Sequence, residues 1–205
     1  MKRPAIAAIA AGAAMMIGGA LGAVTGSDSP KPAPAVIGDT ANPTIAGQAM
    51  LPSRTLTENL AASPDHNQLL AALKSAGVAG AMRADGQFTL FAPANAALPP
   101  ELVSRDKAQL SRRMAYLVVP GKYDSQALLK AISEGGGEAR LRTLEGGTLV
   151  ARMNGPTNIV LVDQGGDTAN ITIYDVYSRN GVLHVVDRMP QPGAPARALA
   201  ANDRR

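Results

Sequence analysis

The chain has 205 residues, 46% of them apolar but only 3% aromatic, with no Trp and no Cys. Its formal charge is +4 and its isoelectric point about 9.6, yet residues 57–192 hold 13 basic and 13 acidic side chains, so the excess lies in the flanks. A neutral central region gives no clustered basic face for nucleic acid. The missing cysteines exclude disulfides, thiolate nucleophiles and sulfur-ligated zinc, and the scarce aromatics leave little for stacking platforms.

Met1-Lys2-Arg3 precedes an uncharged, Ala-, Ile- and Met-rich run from Ala5 to Val24. The pattern predicts that residues 1–24 are a signal peptide, with Ala20-Leu21-Gly22 as the nearest cleavage pattern, or else an N-terminal membrane anchor. Residues 25–54 are rich in Pro and Ala, as in Pro30-Lys31-Pro32-Ala33-Pro34, and read as a disordered linker that holds a domain away from a membrane or wall. Residues 193–205 read as a disordered tail, which leaves residues 55–192 as the folded unit.

That unit opens on Thr55-Leu56-Thr57-Glu58, a capping box at a helix start. A second helix is predicted from Ser63-Pro64, burying Leu69, Leu70, Leu73 and Ala76 and stopping at Gly77. Phe88 to Phe91 reads as a strand stopped by Pro93, and Leu110, Met114 and Leu117 mark the inner face of another helix. Asp124 is positioned to cap a helix carrying Leu128, Leu129 and Ile132, which ends at Gly135-Gly136-Gly137. Strands are then predicted at 140–144, 148–153, 159–162, 170–176 and 182–188, the last two joined through Asn180-Gly181, the strongest short hairpin signal. Helices precede strands, so the fold class is α+β, and without an internal repeat it is a single domain.

Thr89-Leu90-Phe91-Ala92-Pro93-Ala94-Asn95 resembles the first signature box of fasciclin domains, and Asn180-Gly181-Val182-Leu183-His184-Val185-Val186-Asp187-Arg188 is similar to the second. Tyr116-Leu117-Val118-Val119-Pro120-Gly121-Lys122-Tyr123 matches the stretch between them. The resemblance implies a bacterial secreted member of that family: a wedge or sandwich of β-strands packed with several short helices, devoted to adhesion and protein contacts, with no enzymatic activity. Its motif residues here are Phe91, Pro93, Asn95, Tyr116, Pro120, Gly121, Asn180, Gly181, His184 and Asp187, most of them structural. Ala94 stands where relatives often carry Thr. Leu117 stands where they often carry the His of a Tyr-His pair, which in animal relatives is linked to integrin contact.

The polar residues have quieter readings than catalysis. His184 and Asp187 are three apart in a strand pattern and so face opposite sides, which makes His184 a core or edge residue rather than half of a catalytic pair. His66 is expected in the first turn of a helix, in solvent. Asn95 can bond to the backbone of its own turn as a cap. Asp163 and Asp167 across Gly165-Gly166 resemble a loose calcium loop but lack its regular acidic spacing and terminal Glu. Met82, Met114, Met153 and Met189 read as fillers of the core.

The sequence thus predicts an exported, non-enzymatic adhesion or interaction module without cofactor or metal, at the cell surface, in the periplasm or outside the cell. Its expected partner is a surface or matrix protein or a polysaccharide, with membrane contact only through an uncleaved leader. The alternative is a carrier of an apolar small molecule, a pigment or lipid, which would need a deep apolar pocket.

Overall fold

Thr55 is the N-cap of helix α1 (Leu56–Ala62): its hydroxyl accepts from the Glu58 N–H at 3.3 Å, and the Glu58 carboxylate accepts from the Thr55 N–H at 2.7 Å. The capping box read from the sequence is therefore built in full, within a computed structural model that describes residues 42–82, 86–100, 102 and 106–193. The leader 1–24, the linker up to residue 41 and the tail beyond residue 193 lie outside the described residues.

Helices α2 (Asn67–Ser75), α3 (Val78–Ala81), α4 (Lys107–Tyr116) and α5 (Ser125–Glu134) follow. Each of the two longest begins on an aspartate: Asp106 accepts from the Ala108 and Gln109 N–H groups, and Asp124 from that of Ala127. Such caps satisfy donors that a helix start leaves free. Two short 3-10 turns, Pro64–His66 and Asn95–Ala97, lead into α2 and follow the first long strand.

A hairpin of β1 (Thr44–Ile45) and β2 (Gln48–Ala49) precedes the helices. The main sheet comprises β3 (Phe88–Pro93), β4 (Val118–Pro120), β5 (Glu138–Arg142), β6 (Thr148–Met153), β7 (Ile159–Val162), β8 (Thr168–Ser178) and β9 (Gly181–Val186). Its spatial order is β4-β3-β9-β8-β7-β6-β5. Every neighbouring pair is antiparallel except β3 and β9, which run parallel with Phe91 opposite His184. The Leu144 N–H, just past β5, donates to the Val118 carbonyl of β4 at 2.7 Å, so the two ends of the sheet curl round to meet and the wedge is nearly closed.

Because side chains alternate across a strand, β3 and β9 feed two cores. Leu90 and Ala92 with Leu183 and Val185 face the helices and pack with Leu56, Leu69, Leu73 and Met114. Phe91 and Val186 face the inside of the curl with Tyr116, Leu128, Leu149, Leu161 and Ile171. Both strands are consequently buried on two sides and read as continuous apolar runs. The fold is α+β, as the sequence predicts.

Several particulars depart from the sequence reading. The predicted linker 25–54 overlaps an ordered segment from Asn42 onward. The Asn42 side chain accepts from the Tyr177 N–H at 2.8 Å and donates to the Tyr177 carbonyl at 2.8 Å, while Ile45 and Met50 are buried in the helical core. Two apolar anchors and one amide bound to β8 outweigh the chain entropy that the Pro- and Ala-rich composition suggests. The strand at Phe88 continues to Pro93, since at the strand's end a missing N–H costs nothing. His66, expected in solvent, is fully buried beneath α2, where its Nδ1 bonds to the Ser63 hydroxyl at 2.8 Å.

The β8–β9 turn consists of Arg179 and Asn180, and Gly181 follows it at a φ of +149° with its Cα pressed against β3. A Cβ there would collide with the Phe88 carbonyl oxygen. Gly181→Ala is therefore expected to destabilise the domain by about 3 kcal/mol, read as a lowered urea midpoint, and Asn42→Ala by about 2 kcal/mol through the stranded backbone of Tyr177.

Candidate functional site

His184 sits in the middle of β9 with no exposure to solvent. Its ring stacks on Phe91 at 5.7 Å between centroids and meets the edge of Tyr174 at 6.0 Å. In β8, Ile173 pairs with Val185 and Val176 with Leu183, so Tyr174 and Asp175 together oppose His184 in a β-bulge. The bulge is reached through a left-handed Asp175, φ +57°, a conformation that Asp tolerates better than most residues.

The hydrogen bonds fix the histidine's tautomer. The Asp175 N–H donates to Nδ1 at 3.3 Å, so Nδ1 carries no proton, and Nε2–H donates to the Tyr123 carbonyl at 2.8 Å. The Asp175 carboxylate points elsewhere, to the start of α5. There it accepts from the Ser125 N–H at 2.7 Å and from the Ser125 hydroxyl. A serine, an aspartate and a histidine are thus brought together, but in the wrong order for nucleophilic catalysis: the serine donates to the carboxylate and the histidine holds a backbone amide. The carboxylate sits at the positive end of the α5 dipole, which stabilises its charge. Burial, the larger cause, pushes the His184 pKa below its ordinary 6.5 despite the raising effects of the Tyr123 carbonyl and Asp175. A second ring proton would also have to face the Asp175 N–H. Burial lowers His66 as well, against a raising effect of Asp65.

The remaining motif residues serve backbone too. Asn180 accepts from the Leu56 N–H at 2.8 Å and donates to the Met82 carbonyl at 2.7 Å, pinning the hairpin turn to the helices. Asn95 reaches away from its own turn: it accepts from the Gln68 N–H at the start of α2 and donates to the Pro64 carbonyl and the Asn67 side chain. Thr89 donates to the Gly121 carbonyl and accepts from the Tyr123 N–H, both at 2.8 Å, which shapes the loop ahead of α5. Asp187 lies past the end of β9 and accepts from both the backbone and side-chain nitrogens of Asn170, at 2.7 Å each, so it never meets His184. Phe91 and Pro93 are buried in β3, and Pro120 is exposed at the end of β4. Tyr116 and Leu117 are both fully buried, so neither side chain can touch a partner. The Tyr116 hydroxyl donates to the Thr148 carbonyl at 2.8 Å, and burial pushes its pKa up to about 12.

The Asp163 carboxylate is likewise engaged. It accepts from the Gly165 and Asp167 N–H groups on one oxygen and from the Gln191 N–H on the other, which straps the segment after β9 to the β7–β8 turn. Asp167 lies 3.7 Å from Arg188. Among the described residues no group of three or more His, Cys, Asp or Glu side chains could hold a metal ion, and no helix is long and apolar enough to cross a membrane. Sequence reasoning missed Ser125 and Asp175. The signal available was Asp175 itself, an acid within the apolar run from Ile171 to Val176.

The exposed chemistry lies on the outer face of β5 and β6, where Arg140, Arg142 and Arg152 project from strands whose alternate residues are buried. The ion pairs among the described residues are Arg112–Glu145, Lys130–Glu134 and Arg188–Asp167, so these three arginines form none there, although Glu138 stands opposite Arg152 across the β5–β6 ladder. Lys122 lies over the Tyr177 ring at 4.8 Å.

A curled seven-stranded sheet with α1 to α4 packed on one face and α5 against the inside of the curl defines an α+β domain. Residues 64–192 match the family model described as "Fasciclin domain", and the chain belongs to that family. Over 147 residues it is 32% identical to protein sll1483 of Synechocystis sp., covering 67% of this chain and 73% of that one. Over 129 residues it is 27% identical to the uncharacterized protein sll1735 of the same organism, covering 59% of this chain and 85% of that one. Among solved structures it is similar to the FAS1 domain pair from the insect cell adhesion molecule fasciclin I, with a TM-score of 0.51 and 18% identity over 62% of this chain. The match spans 45% of that chain, and at this identity the likeness is one of fold.

The two neutral histidines set the acid limit of stability. Below pH 6.5 the unfolded chain takes up protons that the folded one binds less readily, so unfolding free energy should fall with pH, by at most about 1.4 kcal/mol per unit for each histidine. His66→Asn should remove one share of that slope in urea titrations between pH 7 and 5. At the alkaline end the sign reverses: from pH 10 to about 12 the unfolded chain loses a tyrosine proton that buried Tyr116 keeps. Stability should therefore decline over that window, and less steeply in Tyr116→Phe.

Proposed function

We propose that this protein is an exported interaction module that works outside the cytoplasm by docking a partner protein or polysaccharide on its exterior, without catalysis. Fasciclin domains are known for adhesion and interaction, and this chain's family membership is the first support for the reading. The observation that carries it is the arrangement around His184. The serine, aspartate and histidine that the fold brings together, Ser125, Asp175 and His184, are each occupied by a backbone or side-chain partner inside the fold. Recognition is then left to exposed groups, foremost the arginines of β5 and β6.

The carrier alternative needs an apolar pocket. Two recesses formed by described residues, about 370 Å³ beside Arg152, Asn154 and Thr168 and about 330 Å³ beside Tyr123, Glu134 and Arg140, mix such polar groups with apolar ones. Such linings suit contacts with a polar partner better than a pigment or lipid.

Native mass spectrometry of the protein from its own host, combined with cross-linking on intact cells, tests the reading. The expected result is a processed, ligand-free species that cross-links to a surface protein or polysaccharide. A stoichiometric pigment or lipid in the spectrum would overturn it in favour of the carrier.

A further inference from the structure

The sheet ends in two edge strands that differ in how they are finished. On β4, the Val118 carbonyl is taken by Leu144, and Pro120 has no N–H to offer. On β5 the outer side is bare. The Thr143 N–H donates to the Gly147 carbonyl at 2.9 Å, which makes that the first hydrogen-bonded pair of the β5–β6 hairpin. Since such pairs alternate in an antiparallel ladder, Leu141–Leu149 and Ala139–Ala151 are the next ones. The N–H and C=O groups of Arg140 and Arg142 therefore point away from β6, along the same side on which Leu144 reaches β4.

The bare stretch has defined limits. Leu144 closes one end, and at the other the Gly135 backbone lies so close to the Glu138 carbonyl that a Cβ on Gly135 would collide with it. Alongside the stretch runs the recess of about 330 Å³, lined by Tyr123, Ala131, Glu134 and Glu138 as well as Arg140. No strand of this chain pairs with that side of β5 among the described residues.

We infer that this edge receives an extended, acidic segment of a partner protein as an added strand, main chain to main chain at Arg140 and Arg142. The inference rests on the interaction-module reading above and names the partner's chemistry. Backbone pairing supplies affinity, and side chains at alternate positions supply selection. Arg140 and Arg142 project from one face about 7 Å apart along the strand, beside Glu138 at its start, and neither forms an ion pair among the described residues. A strand with acids two residues apart satisfies both. A second copy of this chain fits less well: antiparallel pairing of β5 with β5 can set Glu138 against Arg140 or against Arg142 but never gives both arginines an acid, since the remaining one then faces Gly136 or another arginine. A strand that carries two acids therefore matches the pair of arginines better than this chain's own β5 does.

The test uses the full chain and a synthetic peptide of alternating Val and Glu, with backbone amides followed by NMR hydrogen exchange. Binding should slow exchange at Arg140 and Arg142 by at least about tenfold, and it should weaken as salt rises. The double variant Arg140→Gln/Arg142→Gln, checked for an unchanged circular dichroism spectrum, should lose about fivefold to tenfold in affinity. A peptide N-methylated at alternate residues, which keeps the charges and loses the donors, should fail to bind. No binding by the parent peptide overturns the inference, as does binding that leaves both amides exchanging freely. If polygalacturonate displaces the peptide and shifts the arginine side chains without protecting the amides, the face recognises a polysaccharide; strand addition is then wrong while the interaction reading stands. A bound pigment or lipid would sink the interaction reading, and the peptide titration would still report on β5 independently.

Discussion

The neutral imidazole of His184 is the point on which four parts of the structure converge. One nitrogen accepts from β8 and the other donates to the loop before α5, so the ring links strand, bulge and loop only while it carries a single proton. The bulge in turn aims Asp175 at the α5 N-terminus, where its carboxylate meets both the amide and the hydroxyl of Ser125. Helix α5 then lays Leu128 and Ile132 into the inside of the curl. Neutrality of one ring is thus transmitted through a local strand irregularity to the placement of a helix that closes one side of the inner core.

A curled sheet creates a shortage of polar partners, because strands buried on both faces must satisfy every backbone group inside the ladder. Where the ladder breaks, side-chain amides and carboxylates stand in. Asn42 pairs both backbone groups of Tyr177, Asn180 joins the hairpin to Leu56 and Met82, and Asp163 gathers three amides from two segments. The Asn42 and Asn180 bonds and the Asp163–Gln191 bond span 28 to 135 residues of sequence. The motif residues of this family are, in this chain, largely a set of such long-range backbone clasps, which is why they look functional in a sequence and inert in the structure.

That distinction decides what was legible beforehand. The capping box at Thr55 and the Asp124 cap are local signals whose partners lie within a few residues, and each could be read directly; the β8–β9 hairpin was legible too, but its turn is Arg179-Asn180 rather than Asn-Gly, and Asn180 bonds far away to Leu56 and Met82. The α+β class followed from the change of period after Gly137, and the family from the ordered motifs. The β1–β2 hairpin was illegible because its order depends on Tyr177, 135 residues from Asn42. His66 was misplaced because a position in a first helical turn does not say what later packs over it. Asn95 was expected to bond at home and bonds instead to residues 64–68. The Asp175 bulge left only one trace, an acid in an apolar run, and nothing in the run names Ser125 as its partner.

The two ends of the sheet also bear on how many neighbours it can accept. Pro120 and the Leu144 bond seal β4, while β5 keeps two residues of bare backbone between Gly135 and Leu144. A sheet finished this way has one usable edge of its own among the described residues, so copies joined edge to edge could form a pair but not a chain. Growth by edge-to-edge addition, the route by which flat sheets become fibres, stops after a single step. A protein so built can be displayed densely and still terminate, rather than seed, an extended β-assembly.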